Sequence, residues 1–324
     1  MKILLLGDKK LSNEVGAIIV TFNPDINGLK RNINAIYNQV DRVVIVDNGS
    51  NNLDDIKELL QVLKMNVDII DLGQNLGIAA AQNRAISSLD DLGFNWVVTL
   101  DQDSEMAEKS IQKLKATSQY EDKDTGILAA QYNDSKWTEE QRKNKLDERY
   151  DQVVQKKMVI ASGNLVNIKA WRAVQGYDEW MFIDQVDFDF NAKLLLAGYK
   201  IWQVNNVVMD HAVGDVIQKP MLSRLLLFPK KAIFSDHSAF REYYIQRNTI
   251  IYSKRYPEFR RHKYQVIVSM IQSRRILVYS GPRVKKLISA WKGIVDGIKY
   301  RPEDDIKFKE FRQSLNNRRT KNEN

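Results

Sequence analysis

The chain has no cysteine among its 324 residues, which excludes a disulfide framework, a thiolate metal site and a cysteine nucleophile. A reducing cytoplasm fits that composition. Long apolar runs are missing too. The opening MKILLLGDKK is apolar over too few residues for a signal segment and is stopped by Gly7 and Asp8. No later stretch approaches the ~20 apolar residues of a spanning helix, so the chain is expected to be soluble or peripheral to a membrane. No G-x-G-x-x-G fingerprint follows the first strand signal, and no G-x-x-x-x-G-K-[ST] loop occurs anywhere. Dehydrogenase and P-loop readings lose their support. No nucleic-acid recognition signature is found either.

What is present is unevenly distributed. At 44% hydrophobic the chain can bury a sizeable core, as two domains or as one domain with an appendage. The overall charge of +8 hides a division: residues 1–215 hold 24 Lys and Arg against 32 Asp and Glu, and residues 216–324 hold 25 against 9. The net −8 and +16 predict an acidic first domain and a basic tail that faces solvent, an anionic membrane or another polyanion.

Residues 15–22, 42–46, 67–72 and 96–100 read as buried strands, and the intervening 54–63 and 78–89 as helices. Leu29, Ile33, Ile36 and Tyr37 mark a further helix face. Repeated βα units predict an α/β fold with a largely parallel sheet and right-handed crossovers. Residues 104–116 read as a helix, 132–155 as a charged excursion over the active face, and 158–168 as a strand interrupted at Gly163. That glycine either lets backbone approach a ligand or forms a β-bulge.

Two segments carry the chemistry. Residues 96–104 read WVVTLDQDS, a buried strand ending in Asp101 and Asp103. Carboxylates at the carboxyl end of such a strand point into the crevice where open α/β sheets bind ligands. Their hard oxygens suit Mg²⁺ or Mn²⁺ bridging a diphosphate, although Asp-rich turns also close strands for local reasons. Residues 176–189 place Asp178, Asp184, Asp187 and Asp189 beside aromatics, costly unless paired, solvated or used. Helix capping accounts for one of them.

In sequence order, TFNP (21–24), VDNGS (46–50), NLGIAAAQN (75–83), DQDS (101–104), SGN (162–164) and FIDQVDFDF (182–190) resemble the family 2 glycosyltransferases of GT-A fold. Within that family they look most like bacterial rhamnosyltransferases that use dTDP-L-rhamnose in cell-surface polysaccharide assembly. The resemblance implies that Thr21, Phe22, Asn23 and Asp47 contact the nucleoside, Asp47 reaching the base, with Asn75 and Gln102 in the same nucleotide-binding set. Asp101 and Asp103 would flank the diphosphate and Asp103 would hold the metal. Relatives carry an Arg where this chain has Gln82, leaving either Gln82 or the displaced Arg84 to hold the nucleotide. Asp187 is the better candidate for the catalytic base and Asp184 the next; the family's acidic partner beside it is Val186 here.

Inverting transfer needs a base within reach of the acceptor hydroxyl and stabilisation of the departing diphosphate, but no covalent intermediate. His211 follows a strand-like run and would complete the metal site or stand as a solvated loop histidine. The implied donor is dTDP-L-rhamnose, with UDP-galactofuranose, UDP-glucose or UDP-galactose as alternatives. A glycan, lipid-linked or free, is the implied acceptor. A nucleotidyltransferase should show a Gly- and Arg-rich loop in place of TFNP; a non-catalytic sugar-nucleotide-binding protein should lack Asp101, Asp103 or Asp187.

The basic tail is helical in pattern. Ile267, Met270, Ile271 and Val278 share a stripe that Arg274 and Arg275 avoid, as in homodimer packing or contact with the inner face of a plasma membrane. Residues 312–324 show no periodicity and are expected to be disordered.

Overall fold

The computed structural model of the chain describes residues 14–134, 137, 139–140, 142, 146, 152–211, 216–217, 220–228, 234–260 and 262–322. Its first half is the expected βα repeat: β1 (Val15–Thr21), α1 (Ile26–Tyr37), β2 (Arg42–Asp47), α2 (Leu53–Leu63), β3 (Val67–Asp71), α3 (Ile78–Asp91) and β4 (Trp96–Asp101). Asp25 starts α1 by accepting the Gly28 N–H at 2.7 Å. These four strands are mutually parallel in the order β3-β2-β1-β4.

Beyond β4 the sheet changes character. β8 (Asn164–Asn167) runs antiparallel between β4 and β6 (Thr125–Asp134), and β6 runs parallel to β9 (Lys200–His211). β5 (Ser104–Met106) and β7 (Val153–Lys156) lie antiparallel to β9. Residues 104–116 are thus not one helix: Ser104 to Met106 are drawn out by pairing with β9, and the helix α4 is confined to Ser110–Lys115. Most of 135–151, expected to cross the active face, lies outside the described residues.

Side chains alternate across the sheet with the two-residue strand period. Ala17, Ile19, Val43 and Ile45 face α1 and α2, meeting Leu29, Ile33 and Ile56. Ile18, Val20, Val44 and Val46 face the other way, onto Ala85, Ile86 and Leu89 of α3. That second layer also holds Phe190 and Leu194 of α6 (Val186–Leu196), which follows α5 (Ile168–Ala173), and residues of the tail.

The tail comprises α7 (Pro220–Leu225), α8 (Ala239–Arg255), α9 (Gln265–Gln272), α10 (Arg283–Lys299) and α11 (Ile306–Asn322). Residues on both sides of position 215 share one core, since Ile251 and Tyr252 of α8 and Phe308, Phe311 and Leu315 of α11 pack into the α3–α6 layer. The disorder expected over 312–324 is replaced by helix through Asn322. Three buried apolar residues at helical spacing, Phe308, Phe311 and Leu315, seat it. α10 lies parallel on α8 with almost no side chain between them. A Cβ on Gly293 would sit 2.2 Å from the Tyr243 carbonyl oxygen, and one on Gly297 2.9 Å from Ile250 Cβ.

Candidate active site

The carboxyl ends of β1, β2 and β4 lie side by side along one edge of the sheet, and the rim they form is tied together by short-range polar chemistry. Thr21 donates its hydroxyl to Asp47 Oδ1 at 3.0 Å, while the Gly49 and Ser50 N–H groups donate to Asp47 Oδ2 at 3.1 and 2.8 Å. Asn23 donates its N–H to the Ser50 hydroxyl, and Phe22 donates its own to Gln102 Oε1 at 2.8 Å. Thr21, Phe22, Asn23, Asp47 and Gln102 are therefore brought together. Asp47 is fully buried and organises the turn, whereas the Phe22 ring is 44% exposed above it.

Asn75 Oδ1 accepts from Asn48 Nδ2 and from the Gly77 N–H, each at 3.0 Å, joining the second and third motifs. Gly77 has φ +90°, and a Cβ there would lie 2.7 Å from the Phe182 carbonyl oxygen, so only glycine lets α3 start against the acidic segment. Residues 82 and 84 diverge by roughly 200° around the helix. Gln82 points inward, buried with its Oε1 unpartnered, and Arg84 is exposed. Asn83, which the motif contains but residue chemistry alone did not single out, accepts from the Tyr177 N–H and Trp171 Nε1 and donates to the Tyr177 carbonyl and Glu179.

Asp101 ends β4, half-buried, and Asp103 is exposed on the turn into β5. Ser162 holds that turn: its hydroxyl accepts the Asp101 N–H at 3.0 Å and donates to the Ser104 hydroxyl at 2.8 Å. Gly163, with φ +79°, packs against Met209 rather than open space, since a Cβ there would be 2.8 Å from Met209 Sδ. The backbone of His211 pairs with Ser104, beside the D-x-D turn; its side chain lies outside the described residues.

The four aspartates of the acidic segment have separate fates. Asp178 and Asp189 take the buried Arg255 guanidinium at 2.6 and 2.9 Å, and Arg255 also meets Asp305 at 2.5 Å. Asp184 faces Arg241 at 3.1 Å. Asp187, in the first turn of α6, has no ion pair among the described residues, and its Oδ1 accepts the Phe188 N–H at 2.9 Å. Enclosure by protein, reinforced by the negative charges of Asp101 and Asp184, pushes its carboxyl up to about 7. Burial also raises Asp184, though Arg241 opposes the shift.

The loop bearing these groups is strained. Phe182, Asp184 and Gln185 all have φ near +63°, at 63°, 63° and 64°. Asn248 holds it there, donating from Nδ2 to the carbonyls of Met181, Ile183 and Asp184 at 2.8 to 2.9 Å. Arg247 adds a bond to the Trp180 carbonyl and lies over the Trp180 ring, 4.3 Å from its centroid. These holders were not foreseen. Their signal was the spacing of Arg241, Asn248 and Arg255, seven residues apart and hence on one face of α8.

A strand-end D-x-D turn, a polar rim beside it and a carboxylate raised to about 7, with no ion pair among the described residues, together suit transfer from an activated diphosphate. Residues 17–172 match the family described as Glycosyl transferase family 2. The chain carries a family 2 glycosyltransferase domain. Over 298 residues the glycosyltransferase is 27% identical to the dTDP-rhamnosyl transferase RfbF of Shigella flexneri, covering 89% of this chain and 97% of that one. Among solved structures it resembles GalNAc-T7 with UDP, GalNAc and Mn²⁺, at 13% identity and TM-score 0.56. The likeness covers 94% of this chain but 57% of that longer enzyme. It also resembles the mannosyltransferase PcManGT from Pyrobaculum calidifontis, in complex with GDP-Man and Mn²⁺, at 13% identity and TM-score 0.54, covering 88% and 86% of the two chains. The fold is GT-A, as expected.

Proposed function

We propose that this glycosyltransferase moves L-rhamnose from dTDP-L-rhamnose, with inversion, onto a hydroxyl of a growing, lipid-linked cell-surface polysaccharide, working at the cytoplasmic face of the membrane. The observation that carries the chemistry is Asp187. A carboxylate poised near neutrality, with no cation paired to it among the described residues, is suited to take a proton from an acceptor hydroxyl at physiological pH. As that proton moves to Asp187, the hydroxyl oxygen attacks the anomeric carbon from the side opposite the nucleotide. The bond from that carbon to the diphosphate breaks and its electron pair leaves with dTDP. Asp184, paired with Arg241, is the second candidate for this role.

The choice of donor is supported by the likeness to a dTDP-rhamnosyl transferase over nearly the whole of both chains. In this reading the exposed Phe22 ring stacks on the base, the rim formed by Thr21, Asn23 and Asp47 encloses the nucleoside, and the buried Gln82, with its unpartnered Oε1, stands where relatives carry a basic residue.

The oxygens of Asp103 and Asp101 suit a hard divalent cation. Among the described residues no three carboxylates or imidazoles converge, so Mg²⁺ or Mn²⁺ here would complete its shell with diphosphate oxygens, water and, in this proposal, His211. Such an ion would neutralise charge on the departing diphosphate. Incubating the protein with a panel of radiolabelled nucleotide sugars tests the reading: dTDP-L-rhamnose should be hydrolysed or transferred fastest, and EDTA or Asp103→Ala should abolish turnover. Preference for a UDP-hexose would replace the donor, and full activity in EDTA would remove the metal.

A further inference from the structure

The tail buries several charged side chains on α8 and exposes hydrocarbon on α10. On α10, Val284, Ile288, Trp291, Val295 and Ile298 are exposed, Val284 by 71% and Trp291 by 52%. Their steps of four, three, four and three residues place them in one continuous stripe. The opposite face of α10, with Ala290, Gly293, Ile294 and Gly297, is buried against α8. Met270 of α9 lines a groove shared with Ile288 and Trp291, and Ile267 and Ile271 of the same helix are exposed, so the apolar surface extends onto a second helix.

Charge decides what such a surface can meet. Lys285, Lys292 and Lys299, themselves seven residues apart, form an exposed row directly beside the apolar stripe. Across residues 262–299 there are eight Lys and Arg and a single carboxylate, Asp296, which already accepts the Tyr243 hydroxyl at 2.9 Å. Four-three spacing is also the seam of a coiled coil, but a second copy would bring lysine row toward lysine row with no free carboxylate to answer it. Among the described residues no helix is long and apolar enough to cross a membrane. An apolar stripe with Trp near its centre and Lys along its edge is the pattern of a helix lying in the plane of a lipid surface.

We propose that the exposed faces of α10 and α9 dock on an anionic lipid surface, the stripe entering the headgroup region and the lysine row meeting lipid phosphates. The inference stands on these helices and not on the sugar transferred. Flotation reads binding without turnover, so a wrong donor leaves it intact.

The full chain is floated with vesicles of phosphatidylcholine alone or mixed with phosphatidylglycerol. Binding should be at least about tenfold greater to the anionic vesicles and should fall in about 1 M salt, where the screening length is roughly 3 Å. The double variant Ile288→Glu, Trp291→Glu should lose flotation with an unchanged melting curve, and serine at 285, 292 and 299 should erase the preference for anionic lipid. Equal binding to both vesicles, no binding to either at low salt, or flotation of the glutamate variant would overturn the proposal. So would a solution dimer that the glutamate variant dissociates and that binds no vesicle, which would give the face to a second copy.

Discussion

The sheet and the helical tail solve opposite problems. In the sheet, hydrocarbon is inside: β1, β2 and β4 are almost wholly apolar and buried. In the tail, α8 buries Glu242, Gln246, Arg247, Asn248, Ser253 and Arg255, while α10 exposes valine, isoleucine and tryptophan. Burying charge is expensive unless each group is partnered, so the polar face of α8 must be matched: the acidic segment answers Arg247, Asn248 and Arg255, and Arg275 answers Glu242. The sheet supplies the platform and the polar rim at its strand ends; the inverted tail supplies the clamp on the strained acidic loop.

The comparison breaks hardest at Asp187, the one aspartate of its segment without an ion pair among the described residues. Asp187→Asn should lower kcat by roughly 10²–10⁴ while donor binding, followed by calorimetry, persists. In the wild type, activity should rise with pH through about 7, because only the carboxylate accepts a proton; the variant should lose that limb. Stability should move the other way. The folded-state pKa lies above that of the unfolded chain, so folding favours the protonated form and stability falls as pH rises between the two values. The Asn variant should therefore melt higher than wild type above pH 7. If Asp184→Asn shows the kinetic pattern and Asp187→Asn does not, the roles are exchanged.

Arg255→Met tests the clamp itself. It strands Asp178 and Asp189 in the core and should cost about 3–5 kcal/mol in denaturant unfolding. A loss below about 1 kcal/mol would show that the tail's buried charges are not what seats it. Gly77→Ala, where α3 abuts Phe182, should cost about 1–3 kcal/mol and depress kcat by shifting the strained loop. The smallest effect belongs on the outer face: Trp291→Glu should change stability by less than about 0.5 kcal/mol. A larger loss would mean that the exposed stripe is part of the core.

The sheet half was legible because its signals are local. Runs such as VGAIIVT and WVVTL, closed by Asn-Pro-Asp or Asp-Asn-Gly, specify strand and turn without reference to distant residues. β5 was misread as helix because Ser104 to Met106 become a strand only by meeting β9, about a hundred residues later. α11 was misread because Phe308, Phe311 and Leu315 are few among many charges, and burial rather than propensity seats them. Asp187 is picked out as a candidate base by chemistry and resemblance, but the pairing of its three neighbours is not legible, since Arg241, Asn248 and Arg255 approach the acidic segment from a helix that begins about fifty residues beyond it.

The glycine contact between α10 and α8 has a mechanical reading. With backbone resting on backbone at Gly293 and Gly297, the two helices move as one bar, and the first turn of that bar holds Asp184 through Arg241. A molecule lying on α10 would then carry its base at one fixed height above whatever it lies on.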